Sequence, residues 1–359
     1  MTVWMKNVSR HVVPDMLLPS IPVSILDRAN VREGAPADAL AATLRRAKRA
    51  EQLGYHRFWV AEHHGVPGIA GSAPTVLMAV VAAQTERIRV GSGGVMLPNH
   101  QPLVVAEQAA TLQALFPGRI DLGIGRSVGF TSAVRAALRQ DRDAADRFET
   151  DLAELLAYLT GTSSLTARPY DAGATSPFVL ATGNGADIAA QAGLAIVVGG
   201  PIFSARNTER AREVLERYRR NFRPSTYYPE PYVILSTNVA VAETFERAED
   251  LLLPEAWAMA ESRTRGQFPP LAPAESIKGW AMTSRQRDII TETLSGAVYG
   301  TVEQVTQGLG LLLEATGADE LMVTTNTFDT AALADTDRQV AGLFALPTLP
   351  SRRAGMAGP

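Results

Sequence analysis

The feature of this sequence that most restricts its fold is a regular alternation of short apolar runs with longer amphipathic stretches. Short apolar runs bounded by turn residues predict β-strands, and strands that alternate with helices predict a parallel sheet. The eight strand candidates lie at residues 22–27, 56–62, 88–94, 119–125, 177–182, 195–199, 232–241 and 320–325.

Helical periodicity fills the intervals between these runs. In the first interval Leu40, Leu44, Ala47 and Ala50 recur at helical spacing, and Gly54 follows as a stop. The helix candidates lie at residues 37–53, 74–84, 102–115, 144–159, 187–192, 204–221 and 302–316. Eight strands that alternate with helices predict a (β/α)₈ barrel, with an open doubly wound sheet as the alternative.

The domain organisation follows from the same pattern. We expect a single barrel domain over 21–345, because a chain of 359 residues is within the range of one α/β barrel. Residues 1–20 are expected to form a flexible extension and residues 346–359 a flexible tail. The Pro-rich segment 263–296 interrupts the pattern before the last βα unit. It predicts an inserted loop that is either a lid over the site or a passive surface excursion.

Composition narrows the class of protein. The chain has no cysteine, which excludes disulfides, thiolate metal sites and a cysteine nucleophile and fits a cytoplasmic location. The formal charge of −3 and the lack of a basic, aromatic-rich run argue against nucleic acid as a partner. No apolar run approaches the ~18 residues of a membrane span, and the amino terminus lacks the features of a signal peptide.

Two adjacent histidines follow the second strand in VAEHHGVPG, residues 60–68. Catalytic groups of a barrel lie at the carboxyl ends of its strands. Because side chains alternate along a strand, only one of His63 and His64 can point into the barrel mouth, so the pair is a poor metal chelate and no metal is expected. A proton-transfer role for an imidazole here and a purely structural role both stay open.

The third and fourth strands end in glycine-rich turns. Gly93 and Gly94 close the run GSGG, which indicates either close approach of a flat ligand or a barrel corner. Arg126 directly follows the fourth strand. A guanidinium beside such a turn suits a phosphate or carboxylate, and a solvated loop arginine is the alternative.

The fifth strand leads through Thr182, Gly183, Asn184 and Gly185 into a helix. A hydroxyl and free backbone N–H groups at a helix amino terminus form an anion site. The same four residues would also suit a helix cap with a tight turn. Taken together, the strand ends suit a flat, phosphorylated cofactor.

Three longer stretches resemble one known family. GYHRFWVAEHHG, RVGSGGVMLPNHQPLVVAEQAATLQALFPGRIDLGIGR and GADELMVTTNTFD are similar to the bacterial-luciferase-like flavin monooxygenases, and the resemblance runs from about residue 22 to about residue 329. It implies a (β/α)₈ barrel that takes reduced FMN from a separate NAD(P)H:flavin reductase. It also implies that one atom of O₂ enters an organic substrate through a C4a-peroxyflavin.

The resemblance also assigns residues. His63 matches the family's proton-transfer histidine, with Glu62 beside it at the flavin. Gly93 and Gly94 match a pair that is often joined by a non-prolyl cis peptide. The phosphate and ring contacts implied are Arg126, Val128, Thr182, Gly183, Asn184 and Gly185. Several relatives have a second phosphate arginine where this chain has Thr150. Arg147, nearly one turn earlier, is a candidate substitute, and without a substitute a modest FMN affinity is expected.

The substrate and the assembly are expectations of the same kind. Leu26, Phe203, Phe268 and Trp280 are expected to wall the pocket, so we expect a hydrophobic substrate that undergoes hydroxylation or epoxidation, for example in natural-product tailoring. Relatives imply a homodimer. The alternatives are a deazaflavin-dependent dehydrogenase of the same superfamily, a flavin-binding protein without turnover, and a barrel metal hydrolase, which the scarcity of histidines disfavours.

Overall fold

The computed structural model describes residues 18–128, 131–170, 175–181, 185–200 and 208–348. Its centre is a closed barrel of eight parallel strands, as the sequence predicts. The strands are β1 (Val23–Asp27), β2 (Arg57–Val60), β3 (Arg89–Ser92) with its short continuation β4 (Val95–Met96), β5 (Ile120–Gly125), β6 (Ser176–Ala181), β7 (Ala195–Gly199), β8 (Val233–Thr237), β9 (Val239–Val241), β10 (Val298–Gly300) and β11 (Glu320–Val323).

The barrel closes because neighbouring strands pair all the way round. The order is β3, β2, β1, β11, β8, β7, β6 and β5, and β5 pairs back onto β3. The predicted seventh strand, 232–241, is two strands in the structure. The carbonyl of Asn238 accepts a hydrogen bond from the amide of Val298, which draws β9 out of the barrel to pair with β10.

Helices follow the strands and cover the outside of the barrel. They are α1 (Pro36–Gln52), α2 (Pro74–Ala83), α3 (Pro102–Leu115), α4 (Ser132–Ala137), α5 (Phe148–Thr160), α6 (Gly185–Ala192), α7 (Thr208–Asn221), α8 (Phe245–Arg265), α9 (Ala274–Lys278), α10 (Ser284–Ser295), α11 (Val302–Thr316) and α12 (Thr330–Leu343). Predicted helix 144–159 starts later than expected, because Arg142–Arg147 forms a 3₁₀ turn before it.

The segment 263–296 is largely helical, whereas the sequence suggests an irregular loop. It contains the end of α8 and the whole of α9 and α10. Apolar residues of α8 and α10, among them Ala256, Trp257 and Ile289, form a second small core. The helices are stable here because they bury these faces against each other, which proline content alone does not reveal.

The barrel interior is filled by an indole ring. Trp59 is fully buried and meets Phe178 edge-on, with ring centroids 5.2 Å apart. A Cβ atom at Gly91 or Gly123 would lie 2.8 or 2.7 Å from that indole ring. Glycines therefore occupy the inward positions of β3 and β5 because Trp59 takes the space that their side chains would need.

A layer of charged groups closes the amino-terminal end of the barrel. Arg57 donates to Asp121 at 3.0 Å and also pairs with Glu320, while Arg89 contacts Asp121 at 2.6 Å. Tyr232 donates to the same Glu320 at 2.8 Å. Polar groups at this end of a barrel serve stability, which leaves the opposite, carboxyl-terminal end for a site. Among the described residues, no helix is both long and apolar enough to cross a membrane.

Candidate active site at the carboxyl ends of the strands

The chain beyond β2 sends its side chains alternately inward and outward. Trp59 lies in the barrel interior, and the alternation of β2, continued past its end at Val60, predicts that His63 lies on the same side. Glu62 and His64 fall on the other side and bind each other, with Glu62 Oε1 and His64 Nε2 at 2.8 Å. The amide of His63 donates to the carbonyl of Gly71 at 2.8 Å. Strand alternation therefore predicts that His63, and not His64, is the member of the pair on the side of the barrel mouth.

The imidazole of His63 is held in its neutral form. Burial and the positive charges of Arg28 and His64 lower its pKa, the negative charge of Glu62 opposes them, and the net result is a shift from 6.5 to about 4. A neutral imidazole can accept a proton at neutral pH, and the conjugate acid that results is strong enough to return it.

This pKa shift predicts a pH-dependent stability. The unfolded chain takes up a proton on His63 near pH 6.5 and the folded chain only near pH 4, so the free energy of unfolding falls as pH drops through that window. The full contribution is about 3 kcal/mol. Urea unfolding at pH 7 and pH 4.5 should therefore show a smaller difference for His63→Asn than for the wild type. An equal difference in both proteins would contradict the burial of a neutral His63.

Glu62, which follows β2, forms hydrogen bonds with the segment that follows the Gly93–Gly94 turn. It is 2% exposed, and its oxygens accept from the amide of Met96 at 3.0 Å and from Asn99 Nδ2 at 3.3 Å. His100 Nε2 lies 3.0 Å from both carboxylate oxygens. Burial alone would raise the pKa of Glu62, but the hydrogen bonds from His100, Met96 and His64 bring it below its usual value.

The same cluster has the composition of a metal site. One ligand atom each of Glu62, His64 and His100 lies within 4.8 Å of the others. The carboxylate also takes hydrogen bonds from Met96 and Asn99, so contacts within the protein account for the cluster. The prediction that no metal is needed stands as a prediction.

The peptide between Gly93 and Gly94 is cis, as the resemblance implies. A Cβ atom at Gly93 would lie 2.5 Å from Leu26 Cδ1, and one at Gly94 would lie 2.7 Å from the carbonyl oxygen of Gly123. The backbone of Gly123 therefore requires glycine at position 94, whereas a side chain at position 93 would have to displace the end of Leu26. The amide of Gly93 donates to the carbonyl of Val60 at 2.7 Å, which holds this turn beside the segment that carries His63.

The predicted phosphate ligands lie at the ends of β5 and β6. Arg126 is partly exposed, donates from Nε to the carbonyl of Ala145 at 3.1 Å, and has Nη2 3.7 Å from exposed Asp146. Gly185 begins α6, and Val128 is partly buried. Thr182, Gly183 and Asn184 lie outside the described residues. Arg147 donates to Gln140 at 3.3 Å, and it and Thr150 are exposed in the chain that Arg126 contacts.

A cavity of about 270 Å³ opens at the other side of the barrel mouth. The ends of β1, β8 and β11 form its floor, with Leu26, Ser236 and Thr324, and helices α8 and α10 form its wall. Of the four predicted substrate residues, Leu26 lines this cavity. Phe268 is buried with Ile69, Ala258 and Leu271, Trp280 packs on Trp257 at the surface, and Phe203 lies outside the described residues.

Four charged residues line this cavity, Arg28, Glu255, Arg263 and Glu292, and no motif in the sequence singled them out. Arg28 follows β1 directly, so the rule that singled out Arg126 after β5 could have found it. Glu255 lies in the middle of α8, and no pattern in the sequence indicates that this helix faces the barrel mouth.

Comparison with known proteins agrees with this geometry. The family model described as luciferase-like monooxygenase matches residues 21–320. A luciferase-like monooxygenase of Escherichia coli strain K12 is 37% identical over 318 residues, which are 86% of this chain and 93% of the relative. The chain therefore belongs to the luciferase-like monooxygenase family and is a flavin-dependent oxidoreductase.

Two solved structures share the architecture. Apo-MsnO8 is 33% identical, covers 92% of this chain and 100% of its own, and has a TM-score of 0.82. The oxygenating constituent of 3,6-diketocamphane monooxygenase from a Pseudomonas putida plasmid, a type II Baeyer–Villiger monooxygenase in complex with FMN, is 16% identical with a TM-score of 0.68. It covers 90% of this chain and 98% of its own, and at that identity it shows the fold alone.

Proposed function

We propose that this chain is the oxygenating component of a two-component monooxygenase that uses reduced FMN and O₂ to oxygenate a small organic substrate. The observation that carries the proposal is His63, a largely buried, neutral imidazole on the segment that Val60 ties to the Gly93–Gly94 turn. Reduced flavin, when bound, supplies the electrons that activate O₂. His63 would accept and return a proton at the flavin, and the closed barrel below it would exclude water.

The residues at the ends of β5 and β6 fit a flavin phosphate. Arg126 is only weakly paired, since Asp146 is 3.7 Å away and exposed, so its guanidinium is available to an anion. The amino terminus of α6 adds backbone N–H groups and the positive end of a helix dipole. Thr182, Gly183, Asn184 and Gly185 would complete the phosphate site, and Val128, Gly93 and Gly94 would border the ring. Glu62 would act indirectly, because its hydrogen bonds would fix the segment that carries His63.

Replacement of Arg126 tests the phosphate assignment. We expect Arg126→Ala to raise the Kd for reduced FMN about 10- to 100-fold, because a hydrogen bond to a charged group contributes about 1.5–3 kcal/mol. Anaerobic fluorescence titration measures this Kd. Riboflavin, which lacks the phosphate, is the matched control ligand, and its Kd should not change. Equal losses for both ligands would place Arg126 at the ring rather than at the phosphate.

The choice of flavin is tested in the same titration. The deazaflavin cofactor replaces reduced FMN in a parallel series, and Arg45→Ala controls for the loss of an exposed arginine on α1. We expect reduced FMN to bind more tightly than the deazaflavin. The reverse order would favour a dehydrogenase of the same superfamily over a monooxygenase.

The partners follow from the proposed reaction. A separate NAD(P)H:flavin reductase would supply reduced FMN, and the diketocamphane relative is itself described as one constituent of its enzyme. A homodimer is supported by exposed apolar side chains on neighbouring helices, Val76 and Val80 on α2 and Val104 on α3. The substrate would place an apolar part against Leu26 and undergo hydroxylation or epoxidation, with natural-product tailoring as one setting.

A further inference from the structure

The cavity at the barrel mouth is the part of the open end that the flavin assignment leaves unused. Its floor comes from β1, β8 and β11, whereas the proposed phosphate ligands lie on β5 and β6, across the barrel in the strand order. Leu26 belongs to both regions, because it lines the cavity and packs over Gly93. At about 270 Å³ the cavity is just below the ~300–1,000 Å³ of usual ligand sites, which suits a small substrate.

A buried ion pair lines this cavity. Arg28 Nη2 contacts Glu255 Oε1, and the two side chains are only 15% and 6% exposed. Arg28 Nη2 also lies 3.4 Å from the carbonyl of Thr324. A second pair in the same cavity, Arg263 and Glu292, is 3.3 Å apart and far more exposed, at 38% and 47%. Screening makes the second pair weak, whereas the first is well shielded from water.

The buried pair retains unused hydrogen-bonding capacity. Arg28 Nε, a donor, and Glu255 Oε2, an acceptor, have no hydrogen-bond partner among the described residues. An unmet buried polar group of this kind costs about 1–3 kcal/mol. A ligand that supplies both an acceptor and a donor would satisfy both atoms. Because the two charges already neutralise each other, a neutral group costs less to bury here than an ammonium or a carboxylate.

We propose that Arg28 and Glu255 anchor the substrate through a neutral group that both donates and accepts hydrogen bonds, a carboxamide or a hydroxyl. The apolar remainder of the substrate would lie against Leu26 and Met259. This inference specifies the substrate class of the proposed monooxygenase, so it rests on the proposed function. A purely apolar substrate, such as the hydrophobic compound that the sequence suggests, would leave both atoms unmet and bind poorly.

A pair of ligands of equal size tests the anchor directly. Hexanamide donates and accepts hydrogen bonds, while 2-heptanone has a methyl group in place of the amide NH₂ and only accepts. Their Kd values are measured by saturation-transfer NMR on the full-length protein without flavin. We expect hexanamide to bind at least about tenfold more tightly than the ketone, the ratio for one added hydrogen bond to a charged group. Equal affinity, or tighter binding of the ketone, would overturn the proposal.

Two double variants assign the preference to the pair. Arg28→Met with Glu255→Met removes both charges together and so leaves no buried charge alone. It should reduce the amide preference to less than about twofold. Arg263→Met with Glu292→Met removes the exposed pair of the same cavity and should keep the preference. Loss of the preference in both double variants would overturn the proposal, since general polarity of the cavity would then explain it.

The variant Glu255→Gln covers the case in which the first double variant does not fold. It keeps the size of the side chain and removes its charge, and it should lower the amide preference by several-fold while the ketone Kd changes little. An unchanged preference would overturn the anchor. None of these measurements involves flavin or turnover. If the amide preference is absent, the flavin titration still tests the proposed function. If the protein does not bind reduced FMN, the ligand preference is still measurable.

Discussion

Replacement of His63 by alanine is expected to lower the rate of substrate oxygenation at least ~10²-fold, the lower end of the effect of losing a general acid–base group. The imidazole would be the proton acceptor of the proposed reaction, and its pKa of about 4, lowered chiefly by burial, keeps it neutral at pH 7. The rate is measured at saturating reduced FMN, with a substrate found by screening the wild-type protein.

Two controls separate chemistry from structure in this variant. The Kd for reduced FMN and the free energy of unfolding at pH 7 should both stay close to their wild-type values, because the residue would act on protons and not on the phosphate. The wild-type rate should also show no titration near pH 6.5, since the folded pKa lies far below it. An undiminished rate in His63→Ala would remove His63 from the reaction.

Replacement of Arg46 by methionine is expected to cost about 3–5 kcal/mol of folding free energy, the loss when one partner leaves a buried ion pair. Arg46, on α1, donates to Asp337 on α12 at 2.9 and 2.8 Å and to Asp27 on β1 at 3.2 Å. Burial raises the pKa of Asp27, but the charge of Arg46 and hydrogen bonds from Ala29 and Thr43 bring it below its usual value. Without Arg46, two buried carboxylates face each other.

Urea unfolding at pH 7 measures this loss. Arg45→Met is the matched control, because it makes the same exchange on the same helix at an exposed position and should stay within about 0.5 kcal/mol of the wild type. A loss below about 1 kcal/mol for Arg46→Met would mean that the network does not fasten α1 and α12 to the end of β1. Asp27 is adjacent to Arg28 in the chain, so this network also fixes the start of the proposed substrate anchor.

The sequence predicts the barrel well because its strands are buried on both faces and end in glycine or polar turns. The prediction that one histidine of the pair faces inward needs only the two-residue period of a strand, which assigns His63 to the side of the buried Trp59, and it stays a prediction. Helix α12 was missed, although Asp329 caps it by accepting from the amides of Ala331 and Ala332. Aspartate is a preferred residue at the start of a helix, so Asp329 could have indicated α12 from the sequence.

What the sequence does not reveal are contacts between distant segments. Glu62 and His100 are 38 residues apart, and Arg28 and Glu255 are 227 apart. Local patterns carry no information on which face of α8 meets the barrel mouth, because tertiary packing decides it. The same limit applies to Phe268 and Trp280. Their aromatic character suggests a pocket wall, whereas Phe268 lies in a core cluster and Trp280 is exposed and packs against the buried Trp257.

The measurement that tests the central claim most directly is stopped-flow oxidation of reduced FMN bound to the protein. The protein is titrated anaerobically with photoreduced FMN and then mixed with oxygenated buffer, and the return of oxidised-flavin absorbance is followed over time. We expect this return to be preceded by a distinct phase and to be slower than for free reduced FMN. Reoxidation in a single phase at the rate of free flavin would contradict it.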